Sequence, residues 1–285
     1  MDLNLTNQPL ISVLIRSIGL KKALEEAIRS VEAQDYPNIE IVLIEDGAAT
    51  LNEFITNFSK CPINYHALGE NKGRSAAGNV AMNLAKGEYM TFLDEDDMFY
   101  PSHISTLVNE GVKDGELVSY SFAEEMGVET DEEGMILKKS KPFLLYNESQ
   151  FSFLWLIKTN FLPINTVLFH RSLYEKLGGF DEDLDALEDW LLWIKFAANV
   201  GYFKPVPKVT ALYTVPISSK IYFKRRAKIR NNIKIVEERL TRINLSFSLD
   251  ILKRDLQENF YLYFKLKKVT SLSLRLYKRI LNSLF

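Results

Sequence analysis

Residues 87–97 read Gly-Glu-Tyr-Met-Thr-Phe-Leu-Asp-Glu-Asp-Asp, and they restrict the fold more than any other stretch of the chain. The apolar, aromatic run Tyr89 to Leu93 after a glycine has the make-up of a short buried strand. Four carboxylates follow without a break. Adjacent negative charges repel, so such a cluster at the mouth of a buried strand raises its own pKa values or destabilises the fold unless something compensates it. A divalent cation would do so. Oxygen-only ligation suits Mg²⁺ or Mn²⁺, and sparse protein ligation leaves coordination positions for the oxygens of a diphosphate. The alternative is a solvated acidic loop. A strand running straight into the cluster favours a ligand site, because open α/β sheets bind ligands at strand carboxyl ends.

The flanking sequence supplies such a sheet. Leu10 to Arg16 and Ile39 to Ile44 are β-branched apolar runs with the look of central strands. Between them Leu20, Leu24, Ala27, Ile28 and Val31 recur at helical spacing, and Tyr36-Pro37 closes that helix. A helix over about residues 51–58 and a strand at Ile63 to Ala67 continue a β-α-β-α-β order, the signature of a doubly wound sheet. The loop Glu70 to Asn79 enters a further helix, and Lys72 or Arg74 could reach a phosphate at its N-terminus; an ordinary loop and helix cap reads equally well. After the acidic run, Pro101 opens a helix to about Gly111 and Leu117 to Phe122 reads as a strand. Residues 124–141 are charged and glycine-punctuated, an exposed hairpin or loop. Thr166 to His170 and Val209 to Val215 read as strands, Leu173 to Leu177 as a short helix, and Glu188-Asp189-Trp190 opens an aromatic-rich helix to about Val200.

Charge divides the chain near Pro216. The net charge is −2, yet residues 220–285 carry 17 basic and 5 acidic side chains, against 18 and 32 before them. We therefore expect a body over 1–216 and a basic helical C-terminal extension over 217–285. Such a tail can engage nucleic acid, anionic lipid or the acidic body itself. From Phe260 to Phe285 apolar residues at mixed helical spacings interleave with lysine and arginine, which suits a membrane surface, packing on the body, or self-association with another subunit through these helices. A single cysteine, Cys61, excludes an intramolecular disulfide. With no signal pattern or long apolar run, the cytoplasm is the expected compartment. The metalloprotease HExxH, redox CxxC, hydrolase GxSxG and P-loop patterns do not occur.

Four segments together resemble the family 2 glycosyltransferases of the GT-A fold: SVLIRSIGLKKALEEAIRSVEAQDYPNIEIVLIEDG, NKGRSAAGN, GEYMTFLDEDD with MFYPSH, and GGFDEDLDALEDWLLWIKFA, over roughly residues 10–215. The resemblance implies a GT-A-type, Rossmann-like nucleotide-binding sheet with helices on both faces. It also implies transfer of a sugar from a UDP-, dTDP- or GDP-sugar to a hydroxyl on a glycan or lipid-linked acceptor, with inversion and with Mn²⁺ or Mg²⁺. Nucleic acid is not an implied partner. Asp94-Glu95-Asp96-Asp97 resembles the family's metal-binding element, with Asp96 and Asp97 expected at the metal and Asp94 and Asp96 beside the donor. Asp46 resembles the carboxylate facing the base, Ser17 stands beside the nucleotide, and Arg74 is expected on the diphosphate. Asp189 resembles the catalytic base. Glu188 and Trp190 are expected on the acceptor side, Trp190 stacking on a sugar or belonging to the core. Arg16-Ser17-Ile18-Gly19 and Glu45-Asp46-Gly47-Ala48 depart from the commoner Pro-Thr-Tyr-Asn and Asp-Asp-Gly-Ser, which alters the expected base-binding wall. The resemblance implies bacterial surface polysaccharide or related glycan synthesis at the inner face of the membrane.

Two other readings are open to the sequence. A sugar-nucleotide pyrophosphorylase would carry a glycine-rich basic signature after the first strand, where this chain has Arg16-Ser17-Ile18-Gly19. A non-catalytic nucleotide-sugar-binding adaptor would have less need of both acidic motifs.

Overall fold

The computed structural model describes residues 8–145, 150–184 and 186–242. Strand β1 (Ile11–Ser17) is buried along its whole length. Helix α1 (Lys21–Glu32) turns Ala23, Leu24, Ala27, Ile28 and Val31 inward, the face its spacing predicts. Strand β2 (Ile39–Glu45) follows. The helix expected over 51–58 is only a 3₁₀ turn at Phe54–Asn57. Its side chains explain why: the Thr56 hydroxyl donates to the Glu53 carbonyl at 2.6 Å and the Asn57 amide to the Phe54 carbonyl at 2.9 Å, competing with the acceptors a helix would use. Strand β3 (Ile63–Ala67), helix α2 (Arg74–Leu84), strand β4 (Tyr89–Asp94) and the short β5 (Met98–Phe99) complete the first half.

Helix α3 (His103–Thr106) runs on into π-helical turns over Leu107–Val112. Strand β6 (Val118–Thr130) is longer than its apolar core suggests, and it corrects the expectation of an exposed segment from 124. Met126 and Val128 are buried with Leu212, and only the end of the strand and β7 (Ile136–Lys139) form the exposed hairpin. The charges at Glu124 and Glu125 mask this in the sequence; Glu124 accepts the Tyr100 hydroxyl at 2.5 Å. Then come β8 (Phe143–Leu144), α4 (Phe153–Lys158), β9 (Val167–His170), α5 (Arg171–Leu177), α6 (Glu188–Val200), β10 (Lys204–Pro216) and α7 (Ser219–Arg242).

The strands form one sheet in the order β3-β2-β1-β4-β9-β6-β10-β5, with β7 and β8 added to β6. Strand β1 runs parallel to β2 on one side and β4 on the other, whereas β9 is antiparallel to both β4 and β6. One core packs α1 and α3 on one face; the other gathers α2, α4 and α6 on the opposite face. Helix α7 joins that second core through Val236 and Leu240, and Arg239 pairs with Asp181 and Asp183. The expected boundary at 216 falls between β10 and α7. The amphipathic stretch from Phe260 to Phe285 lies outside the described residues.

Candidate active site

The carboxyl ends of β1, β2 and β4 meet the N-termini of α2 and α6. At the end of β2, Asp46 accepts the Lys72 amide at 2.6 Å and the Gly73 amide at 3.0 Å, strapping the loop before α2 to the sheet. Gly73 makes that turn at φ +93°, a conformation that suits glycine. Asp46 is therefore buried and directed at backbone amides. Arg74 opens α2 with its side chain half exposed, its Nη1 3.8 Å from Glu188.

The four carboxylates after β4 diverge. Asp94 takes a two-pronged contact from Arg16 at 2.7 and 2.8 Å. Glu95 turns under the loop after β1, accepting the Ser17 hydroxyl at 2.5 Å and the amides of Ile18 and Leu20 at 3.0 and 3.1 Å. Burial lifts its pKa to about 7 despite these bonds. Asp97 is 1% exposed. One of its oxygens accepts the Thr214 amide at 2.8 Å and the other the Asn165 side chain at 3.1 Å. The expectation that Asp97 holds a metal is revised accordingly: a cation there would displace the bonds that fasten the loop after β4 to β10 and to the turn before β9. Asp96 alone of the four is exposed. Among the described residues no three His, Cys, Asp or Glu side chains converge on one metal position. Of the run, Asp96 is the carboxylate whose exposure suits an open, oxygen-ligated cation site.

Arg16 is the site residue that sequence reasoning passed over. At the end of β1, beside Asp94 in the register, it is buried, and its Nη1 also reaches Glu188 at 2.9 Å and the Arg74 carbonyl at 3.4 Å. Phe92 and Phe180 stack against the guanidinium at 5.4 and 5.7 Å. Burial opposes its charge, and Asp94 and then Glu188 overcome that, holding the group above its ordinary pKa. The available signal was a cation ending an otherwise apolar strand.

Helix α6 begins from Leu187, which adopts the left-handed conformation at φ 63° and ψ 18°. For a branched side chain that costs about 1–3 kcal/mol, a strain found where geometry is over-determined. The next two residues divide. Glu188 is 2% exposed and turns to Arg16, away from the acceptor side on which it was expected. Asp189 accepts the Asn160 side chain at 3.0 Å and the Trp190 amide at 2.7 Å. Burial, then the neighbouring Glu188, raise its pKa to about 7, with Asn160, the Trp190 amide and Arg16 pulling the other way. Trp190 is core: it is buried and its indole donates to the Leu156 carbonyl at 2.6 Å, so the expected sugar-stacking role is withdrawn. Trp193 lies in the same core beside Phe169 and Phe196.

Residues 12–178 match the family model for glycosyl transferase family 2. The chain is a family 2 glycosyltransferase. An uncharacterized glycosyltransferase of Rickettsia typhi is 31% identical over 194 residues, spanning 67% of this chain and 59% of that relative. The putative colanic acid biosynthesis glycosyl transferase WcaA of Escherichia coli is 27% identical over 198 residues, 68% of each chain. Among solved structures, residues 1–349 of S. aureus TarS in complex with UDP superpose with a TM-score of 0.63 at 19% identity, covering 88% of this chain and 72% of that one. The mannosyltransferase PcManGT of Pyrobaculum calidifontis, in complex with GDP-Man and Mn²⁺, gives 0.62 at 17% identity, covering 98% and 82%. The fold of this family 2 glycosyltransferase is accordingly of the GT-A type, with the acidic run and the Glu-Asp pair at one end of its sheet.

Proposed function

We propose that the chain moves a sugar from a nucleoside-diphosphate sugar to a hydroxyl acceptor, inverting the anomeric carbon. The observation carrying this reading is that one guanidinium, Arg16, contacts both Asp94 and Glu188, which brings the strand end leading to Asp96 and the first turn of the helix bearing Asp189 together. Asp189 accepts the acceptor's proton as that oxygen attacks the face opposite the nucleotide; the bond to the diphosphate breaks and the diphosphate leaves. A base with a pKa near neutrality suits the task. Arg74 and the amides opening α2 receive the diphosphate, and the loops held by Ser17 with Glu95 and by Asp46 frame the nucleoside. Asp96 would hold Mn²⁺ or Mg²⁺, which when bound supplies Lewis-acid stabilisation of the leaving diphosphate. The UDP and GDP-Man complexes of the neighbouring folds support a nucleotide-sugar donor, and the relation to WcaA supports a glycan or lipid-linked acceptor in bacterial polysaccharide synthesis.

A surface role for the basic helix accompanies this reading. Lys224, Arg226, Lys228, Arg230 and Lys234 of α7 are exposed, and no acidic residue occurs between Ile217 and Val236. Among the described residues no helix is long and apolar enough to cross a membrane. We assign α7 to attraction toward an anionic cytoplasmic membrane face, which brings the site to a lipid-linked acceptor. Replacing those five cations by glutamine is expected to abolish sedimentation with anionic vesicles; unchanged sedimentation removes this role.

The deciding experiment is thermal stabilisation by UDP, dTDP, GDP and CMP with and without Mn²⁺, followed by transfer assays. A ligand at 100 times its Kd contributes about 2.7 kcal/mol, which is readily read as a shift in Tm. Metal-dependent stabilisation by one nucleotide, with transfer lost in Asp189→Asn but donor binding kept, is expected. Stabilisation by none sinks the reading. Formation of sugar nucleotide from a nucleoside triphosphate and a sugar phosphate would replace it with a pyrophosphorylase, and metal-dependent binding without turnover would indicate an adaptor.

A further inference from the structure

The Arg16 side chain is buried, and it spends four of its five N–H groups on the elements that carry the proposed chemistry. Nε and Nη2 fork onto Asp94, and Nη1 is shared between Glu188 and the Arg74 carbonyl. These contacts join the end of β4, the first turn of α2 and the first turn of α6. Phe92 and Phe180 close over the guanidinium, and Phe180 is itself fastened by Asn79, which donates to the Phe180 carbonyl at 3.0 Å and accepts its amide at 2.8 Å. A planar fork with flanking aromatic rings fixes direction as well as charge, which a lysine ammonium cannot do.

We propose that Arg16 is a positioning residue: through Asp94 on one side and Glu188 on the other it holds the donor-side strand end and the helix bearing the base in a single arrangement. This rests on the transferase reading and adds to it a residue that touches neither substrate. A misplacement of about 1 Å between reacting groups costs about 100-fold in rate. The same contacts set the charge around Asp189. The charged groups about the first turn of α6 are Glu188 on its own helix, Arg16 from β1, Arg74 from α2 and Asp94 from β4, with neutral Asn160 from the loop after α4. The acidic loop at Asp181 to Asp183 is engaged elsewhere, by Arg239, Lys195 and Asn79. Removing the cation and removing its anionic partner therefore have opposite electrostatic effects on the base.

The test compares Arg16→Gln, Arg16→Lys and Glu188→Gln in the full chain, measuring kcat and donor KM across pH and titrating the Asp189 carboxyl by ¹³C NMR. Arg16→Gln is expected to lower kcat about 10- to 100-fold with donor KM little changed, and to move the rising limb to higher pH by about one unit. Glu188→Gln, close to isosteric, is expected to move the limb to lower pH by a similar amount. Arg16→Lys restores the limb but not kcat, because the charge returns without the fork. If Arg16→Gln does not fold, Glu188→Gln and Arg16→Lys still decide. Titrations that stay in place, or full kcat in Arg16→Lys, overturn the proposal. A wild-type Asp189 that titrates in a protein transferring no sugar overturns the transferase reading instead.

Discussion

The Asn160 side chain donates to Asp189 Oδ2 at 3.0 Å, from a loop that helix α4 packs against α6. That bond favours the ionised carboxyl. Activity that needs Asp189 as a base should rise as pH passes through about 7 and level off above it. Asn160→Ala removes a bond made to the charged form, so the limb should move to higher pH, while Asp189→Asn should lower kcat by about 10²–10⁴ at every pH. The pH dependence of kcat/KM in the two variants checks this.

Asp96 and Asp97 are adjacent in sequence and opposite in consequence. Asp97→Ala leaves the Thr214 N–H and one N–H of the Asn165 amide, whose other N–H keeps the Leu212 carbonyl, without the Asp97 acceptor in the interior, and should cost about 3 kcal/mol. Asp96→Ala, at an exposed position, should leave the unfolding free energy within about 0.5 kcal/mol of wild type and abolish only the metal-dependent part of nucleotide stabilisation. Thermal unfolding of both variants, with and without nucleotide and Mn²⁺, separates the two.

His103 is fully buried, bonded through Nδ1 to Thr210 at 2.7 Å and stacked on Phe99, and burial lowers its pKa to about 3. Folded, it stays neutral where the unfolded chain takes up a proton. Its share of stability is therefore complete above about pH 6.5 and is lost progressively as pH falls toward 3. Between pH 6.5 and 5 that loss is about 2 kcal/mol. Glu95 and Asp189, raised to about 7, take up protons over the same range and act in the opposite sense, so the readout is a difference: in denaturant titrations wild type should lose about 2 kcal/mol relative to His103→Gln between pH 6.5 and 5.

A side chain at Gly179 would place its Cβ 2.1 Å from Asn79 Oδ1 and 2.8 Å from the Met82 methyl. Gly179→Ala should break the Asn79–Phe180 clasp, costing about 1–3 kcal/mol, and should lower kcat as well because Phe180 backs Arg16. Tm and kcat falling together would support the link; a stable, fully active variant would refute it.

The central strands were legible because β-branched runs bounded by turns leave few alternatives, and α1 because its apolar face repeats at helical spacing. The segment at 51–58 misled because Thr56 and Asn57 bond to carbonyls three residues back, a competition that hydrophobic pattern does not register. The far half of β6 was hidden by Glu124 and Glu125, whose neighbours on β10 come from the end of the body. At the site, residue types were readable but their allegiances were not. Asp97 is claimed by groups 68 and 117 positions away, and Arg16 by one 172 away. Four carboxylates in a row suggested one shared cation, whereas the fold separates them among an arginine, two loops and solvent.

Helix α7 also changes where this chain can be cut. Charge composition places the seam at Pro216, but Val236 and Leu240 are buried in the core that holds α6, and Arg239 grips the loop leading toward Glu188. A fragment ending at Pro216 would bare that core and release one anchor of the loop, so its inactivity would say nothing about membranes. A fragment ending after Arg242 keeps both, and is the shorter protein with which questions about the remaining tail can be asked.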